Sequence, residues 1–572
     1  MTEPAVLGAI IAVAVVTAVI GARGVRVART PEDFLVAARR VPPTLNASAI
    51  CGEYLSAASF LGIAGLAMLD GLGALWYAVG YAAGYLVLLA AVAAPLRRFG
   101  AYTIPDFAEG RLASPVLRRA ATVMVLVICG FYLLPQLKGA GLTLQAAVGG
   151  PYWVGVVVLG IVVVIGIASG GMKGITFVQA FQYWLKLTAI AVPALVLLML
   201  VQHPPLTGID GAASPTFHKV TKVEFPDTEV MAVRTPVTVV ARGTVAGVRR
   251  DGPLRLRAGQ YDVAAGSTLV FPAGTPAPTV TSQAVLTAAQ WESPLVRLGG
   301  QLDHPLAATY GVILATFLGA IGLPHILVRF YTNPDGPAAR KTTSLVLLLL
   351  ACFYVFPAIF AVLGRAEAPG LYTSGQTDSV VLVLPRLAAA GPVGIVLAAL
   401  TAAGAFAAFL STSSGLLISM AGAVSHDLLG RGVRAFRLSA VAAGVVATGL
   451  GLLVGGIAIN VLVGWAFAIA ASSFCPLLLL GIWWAGLTWK GALCGLALGG
   501  GASSMAVILA MVGVGKTGWP AVLLGEPAIW TVPLAFVAMI GVSLLTRQTV
   551  PPDVTRQLLA LHLPERVRLP DR

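Results

Sequence analysis

Along most of its length the chain alternates long apolar runs with short polar links. VVVLGIVVVIGIA and SLVLLLLACFYVFPAIFAVL lie in two such runs, and a bilayer-spanning helix needs about 20 mostly apolar residues. Thirteen spans are predicted, at 4–21, 46–69, 73–95, 120–149, 152–170, 175–202, 304–327, 342–365, 379–427, 436–457, 459–485, 489–513 and 529–546. One segment has a different pattern. Residues 203–303 are polar and rich in Pro, Gly and Thr, and they alternate in twos, as in TPVTVVARGTV and GPLRLRAGQYDVAAGSTLVF. Period-two alternation predicts short β-strands joined by turns. The pattern therefore predicts an all-α polytopic membrane protein with a small β-rich insert.

Composition supports this reading. Of 572 residues 58% are hydrophobic and 10% charged, against about 25% charged in an ordinary soluble protein. The net charge of +14 would suit nucleic acid if it were gathered on one face. Instead Arg23, Arg26, Arg29, Arg39 and Arg40, then Arg97, Arg98, Arg111, Arg118 and Arg119, sit in links between apolar runs. Short cytoplasmic loops collect basic residues in this way, so the charge reads as topology and no nucleic-acid partner is expected. A plasma (inner) membrane location follows, multi-pass, with the N-terminus outside and the C-terminus cytoplasmic. The insert then lies outside the cell, where loops beyond about 60 residues largely escape the charge rule. The first apolar run lacks a basic leader and reads as a retained helix. Cys51, Cys129, Cys352, Cys475 and Cys494 all fall in or beside apolar spans, which leaves no extracytoplasmic disulfide framework.

Six regions follow: the first helix and basic loop (1–45), five spans (46–202), the insert (203–303), five more spans (304–485), two peripheral spans (486–546) and a tail (547–572). Five spans per half make the second half inverted relative to the first. Transporters built on inverted repeats place their sites at the midplane, between discontinuous helices. Gly52 and Gly62 in ICGEYLSAASFLGIAG, and Gly319, Gly322 and Pro324 in FLGAIGLPHILVRF, mark where the first helix of each repeat can break. Such breaks are tolerated where the freed carbonyls find partners.

Glu53 is the least expected residue, seven or eight positions into a span. Insertion scales charge such a group at least about 2.5 kcal/mol, and it is a functional candidate by default. Lys138 and Lys186 are close enough to span ends to snorkel, although a cavity-facing Lys138 would offer a positive charge to an anionic substrate. His325 and Arg329 read as an inner gate or loop anchor. Trp76, Tyr77 and Tyr81 read as interfacial anchors or a cavity wall. No His-Glu-x-x-His run, Cys-x-x-Cys pair or phosphate loop is present, so no enzyme and no cofactor is expected. Coupling falls to an ion gradient.

Near residue 410, AAFLSTSSGLLIS places Ser411, Thr412, Ser413 and Ser414 in an apolar span. Successive helical residues project about 100° apart, so four hydroxyls make most of the circumference polar. Small residues also permit close helix packing, which accounts for Ser413, Ser414 and Ser419 and predicts that Ser413 and Ser414 tolerate alanine. Ser411 and Thr412 suit an oxygen cage for a small cation, completed by carbonyls of a broken helix.

ICGEYLSAASFLGIAG, LRRFGAYTIPDFAEGRL, GFYLLPQLKGAG, GLPHILVRFYTNP and AGAVSHDLL together resemble the sodium:solute symporters. Within that family they are similar to the cation/acetate and monocarboxylate branch, over nearly the whole chain outside the insert. The resemblance implies about thirteen helices, a LeuT-like five-plus-five inverted-repeat core, and sodium-coupled uptake of a small solute. It also implies sodium ligands: the hydroxyls of Ser411 and Thr412 and the carbonyls of Ala408, Gly52 and Leu55. At Tyr54 some members carry an acidic or amide residue, and here the carboxylate stands one position earlier, at Glu53, which leaves sodium, a proton or either as the coupling ion. Lys138 departs from the small apolar residue usual at its position. Substrate candidates are Glu53, Tyr54, Ser56, Ser59, Trp76, Tyr77, Lys138, Thr316 and Phe317. The expected function is symport of acetate, propionate or pyruvate into the cell. The alternatives are an amino acid or other polar solute moved with protons, and a non-transporting membrane sensor.

Overall fold

The computed structural model describes residues 4–25, 39–201, 215–281, 286, 288–295, 304–427, 432–515 and 517–564. The basic loop carrying Arg26 and Arg29 lies outside them. The first helices are α1 (Pro4–Val25), α2 (Pro43–Tyr54), α3 (Ala58–Asp70), α4 (Leu72–Phe99), α5 (Ile104–Leu112), α6 (Pro115–Val148) and α7 (Tyr152–Leu200). Several starts are legible in local chemistry. Thr103 caps α5, its Oγ1 accepting from the Asp106 amide at 3.1 Å. Ser114 does the same for α6 through the Leu117 amide at 3.3 Å. Each such cap satisfies an amide that the first helical turn leaves without a partner.

The second series is α8 (Pro305–Gly319), α9 (Pro324–Phe330), α10 (Gly336–Glu367), α11 (Val380–Ala388), α12 (Gly391–Asp427), α13 (Val433–Gly451), α14 (Ile459–Trp483), α15 (Trp489–Met511), α16 (Gly518–Gly525), α17 (Ala528–Leu545) and α18 (Val554–His562). Among the described residues 11 helices are long and apolar enough to cross a membrane, or 12 with α2 and α3 counted as one bent span. This is a multi-pass membrane protein.

Two boundaries differ from expectation. The spans expected at 152–170 and 175–202 belong to one run of helix, α7, of 49 residues; within it 174–200 is long enough to span, and Tyr152–Ile167 is shorter. The span expected at 379–427 is two helices, because Gly391 takes a positive φ of 65°, a conformation that glycine adopts without a Cβ clash. Breaks also fall where Gly and Pro predict them. α2 and α3 meet at a 69° bend, and α8 gives way to α9 through Leu323, whose extended backbone (ψ 113°) precedes Pro324. Proline disfavours helix in the residue before it.

Between the two series lies a seven-stranded antiparallel sheet: β1 (Thr221–Phe225), β2 (Glu229–Val233), β3 (Val237–Val245), β4 (Val248–Leu256), β5 (Gly259–Val263), β6 (Ser267–Phe271) and β7 (Thr279–Val280). The order is β1-β6-β3-β5-β2-β7, with β4 on β3. Val237, Val239 and Ala241 alternate inward along β3 onto a core that includes Phe217 and Phe271, stacked at 5.0 Å. The returning chain ties back to the helices, since the Trp291 indole donates to the Met68 carbonyl at 3.0 Å.

Candidate cation and substrate site

α2 stops at Tyr54 because Leu55 leaves helical geometry (ψ 88°). The Ala57 amide is satisfied by Gln136 Oε1 at 2.8 Å, while the carbonyls of Gly52 and Leu55 turn toward α7 and α12. These carbonyls and the Ser411 hydroxyl converge on one atom, the Lys186 ammonium nitrogen. Lys186 donates to Leu55 at 2.7 Å, to Ser411 Oγ at 2.6 Å, and to Gly52. The Ser411 hydroxyl donates in turn to the Ala408 carbonyl at 3.0 Å. Thr412 donates to the Glu53 carbonyl at 2.6 Å. The five residues expected to hold sodium are thus together, and each of the named oxygens already has a partner. Lys186, expected to snorkel, is instead fully buried. An ammonium has three donors, and the broken helix and Ser411 supply three acceptors, so the side chain has no need of the interface.

Backbone proximity delivers Lys186 to this place. A Cβ on Gly52 would overlap the Gln179 backbone, so α2 and α7 touch main chain to main chain. Thr176, Gln179 and Lys186 recur on one face of α7, at helical spacing. The first two receive the Arg329 guanidinium: Nη1 donates to Thr176 Oγ1 at 3.0 Å and Nη2 to Gln179 Oε1. Gln179 in turn donates to the Ser411 carbonyl at 3.0 Å. Arg329 Nε meets Glu53 Oε2 at 2.6 Å, with both side chains 1% exposed. The carboxylate fits because Gly415 has no Cβ to overlap it. Arg329, whose sequence context suits a gate or loop anchor, and Gln179, whose sequence context marks it as no site residue, are therefore parts of the site. The polar stripe on an otherwise apolar α7 was the available signal.

Above the break lies an aromatic group centred on Phe467, whose ring is 6.1 Å from Tyr54, 4.7 Å from Tyr81 and 5.7 Å from Tyr132. His325 packs against Tyr132 at 5.2 Å; both its ring nitrogens, and Asn460 Nδ2, are buried without hydrogen-bond partners. Buried polar atoms are nearly always paired, so these are open positions for a polar ligand. Of the substrate candidates, Tyr54 belongs to this group and Ser56 lies against Tyr132, whereas the Glu53 carboxylate is held on Arg329. Ser59 joins it through the Tyr354 hydroxyl at 3.0 Å, and Tyr77 lies 6.1 Å from Tyr81. Trp76 points elsewhere, donating to the Pro294 carbonyl at 2.8 Å. Thr316 bonds back to the Val312 carbonyl at 2.7 Å and, with Phe317, sits where Gly80 and Gly84 let α4 and α8 pack closely. Lys138 is buried, yet it neither snorkels nor stands free. It donates to Asp378 Oδ2 at 3.3 Å and to the Ile457 carbonyl at 2.5 Å.

A family model described as the sodium:solute symporter family matches residues 34–238 and 279–499. The chain is 29% identical over 534 residues to the "Monocarboxylic acid transporter" of Corynebacterium glutamicum, covering 88% of this chain and 85% of that one. It is 28% identical over 549 residues to the "Uncharacterized symporter YwcA" of Bacillus subtilis, covering 93% and 92%. Among solved structures, a Na+-coupled sialic acid symporter in a substrate-bound outward-open state superimposes with a TM-score of 0.62 at 13% identity, over 95% of this chain and 98% of that one. The inward-facing conformation of Mhp1 gives 0.51 at 14% identity, over 94% and 98%. These likenesses establish the transporter fold, and the family match across both helical series establishes membership: the chain belongs to the sodium:solute symporter family.

Proposed function

We propose that this protein is a secondary active transporter that couples inward cation movement to uptake of a short monocarboxylate such as acetate, propionate or pyruvate. The observation that carries the reading is a broken helix, α2–α3, whose freed carbonyls hold a buried ammonium and whose Glu53 pairs with Arg329 of the second broken helix, α8–α9, below an aromatic group that carries unpartnered polar atoms on His325 and Asn460. Broken helices at a midplane site are the working parts of alternating-access transporters. The substrate class draws support from the name of the Corynebacterium glutamicum relative. Membership in the family supports sodium as the coupling ion. The position of Lys186 among the expected sodium ligands favours a second reading, in which a proton gradient supplies the drive.

On this reading the chain sits in the plasma membrane with its N-terminus outside, the 203–303 insert extracytoplasmic, and five-helix repeats over 46–202 and 304–485. The carboxylate lodges near Ser56, His325 and Asn460, walled by Tyr54, Tyr81 and Phe467. Purified protein in liposomes, given labelled acetate, propionate, pyruvate and a panel of amino acids under imposed sodium or pH gradients, tests the proposal. Concentrative uptake of the short acids, competed by other short acids and not by amino acids, is the expected result. Uptake of an amino acid with none of the acids would refute the substrate class.

A further inference from the structure

We propose that the cage between α2 and α12 takes no sodium ion, because the Lys186 ammonium is its resident cation. The inference deepens the transporter reading above and rests on it.

Three observations carry it. The first is occupancy. Gly52 O, Leu55 O and Ser411 Oγ are three of the five oxygens that family resemblance assigns to sodium, and all three bond the Lys186 nitrogen. The other two are engaged as well, Ala408 O by Ser411 and the Thr412 hydroxyl by the Glu53 carbonyl. A sodium ion on these ligands would stand where the nitrogen stands.

The second is charge. The ionisable groups that face Lys186 are Cys51 and Glu53 from α2, with Arg329 of α9 on the far side of Glu53. The Glu53 carboxylate is already paired with Arg329, and the Cys51 thiol is directed to the Val346 carbonyl at 3.7 Å. α12 gives the cage hydroxyls and carbonyls only. The neutral oxygens of the cage are thus already shared by one cation, and a second one crowded against the ammonium would meet like-charge repulsion with no carboxylate left to offset it.

The third is construction. Gly52 lets α7 close onto α2, and Thr176 and Gln179 fix α7 against Arg329, which sets Lys186 at the C-terminal end of α2. Helix C-termini carry partial negative charge and favour cations. The lysine thus gives the opened helix the same electrostatic support that an ion would, and it joins α2, α7 and α12 through covalently attached groups. Sodium at this place becomes unnecessary, and the drive for transport comes from another travelling cation, a proton being the one to test.

The experiment uses the full-length protein. Melting is followed in detergent with sodium or potassium chloride at equal ionic strength, and labelled pyruvate movement is followed in liposomes. Wild type is expected to melt at the same temperature in both salts, and to take up pyruvate at rates within twofold when external sodium is replaced by potassium. An inward proton gradient should raise that uptake severalfold. Lys186→Ala frees the cage oxygens, so its melting temperature should become higher in sodium than in potassium; Lys186→Arg should stay indifferent. Sodium-specific stabilisation of wild type, or uptake stimulated severalfold by a sodium gradient, overturns the proposal. If the alanine variant does not fold, the wild-type arms decide by themselves. Exchange of external labelled for internal unlabelled pyruvate needs no gradient, so its absence counts against the transporter reading, while the melting comparison still decides the cage.

Discussion

At the scale of single residues, neighbouring polar groups in this membrane core differ in what they sustain. Glu53 and Arg329 form a buried ion pair at 2.6 Å. Removing one partner of such a pair leaves an uncompensated charge, at a cost of about 3–5 kcal/mol. Glu53→Gln is therefore expected to melt well below wild type in detergent, and Glu53→Gln with Arg329→Gln to recover part of the loss; equal melting of single and double variants would count against the pair. Ser413, two residues along from Ser411, has a buried hydroxyl with no partner. Ser413→Ala removes an unpaired polar atom and should leave melting and uptake close to wild type, shifting stability by no more than about 1 kcal/mol. The hydroxyl run was legible in sequence because four polar residues interrupt an apolar span. Lys186 was not. Where a lysine side chain ends depends on which carbonyls another helix releases, and that is settled by tertiary packing.

At the scale of elements, the breaks in α2–α3 and α8–α9 were readable from Gly52, Gly322 and Pro324, since these residues act on the local backbone. The division of 379–427 was less so, because it turns on the positive φ of Gly391. The contact between α4, α8 and the α16–α17 link has no signal in the local sequence. There the Tyr77 hydroxyl reaches Glu526 Oε1 at 3.4 Å, and Gly311 leaves room for the Glu526 side chain. Glu526 lies between spans, and burial pushes its carboxyl from 4.5 up to about 8. A raised carboxyl holds its proton in the folded state after the unfolded chain has released it. Its contribution to stability is thus complete below about pH 4.5 and is lost as the pH rises through 8. Glu526→Gln, which does not titrate, should match wild type at pH 5 and melt above it at pH 9. A constant difference across that range would show that burial of this carboxyl is not coupled to folding.

At the scale of the whole molecule, two buried ion pairs bracket the aromatic group around Phe467. Glu53 with Arg329 lies on the α9 side; Lys138 with Asp378, which also accepts from the Ile459 amide at 3.0 Å, lies toward the start of α14. Alternating access requires one closure to open while the other holds. In a cysteine-free background carrying Ser56→Cys, adding Asp378→Asn should speed labelling by a membrane-impermeant thiol reagent severalfold from the Lys138 side. Unchanged labelling would mean that this pair does not close the path. By sequence Lys138 is a substrate-ligand candidate; the structure gives it a protein carboxylate partner 240 positions away, a pairing that a lone sequence does not reveal.

The tether on Lys186 has an electrical consequence. A free ion enters from one side, leaves on the other, and is counted in the current of every turnover. An ammonium fixed to α7 shifts with its helix and returns with it, so its net displacement over a cycle is zero. Current across a bilayer containing this protein would then count only the travelling species. If a carboxylate moves with one proton, the cycle is silent to voltage. If the carboxylate moves by itself, each turnover carries one negative charge inward and a negative interior opposes it.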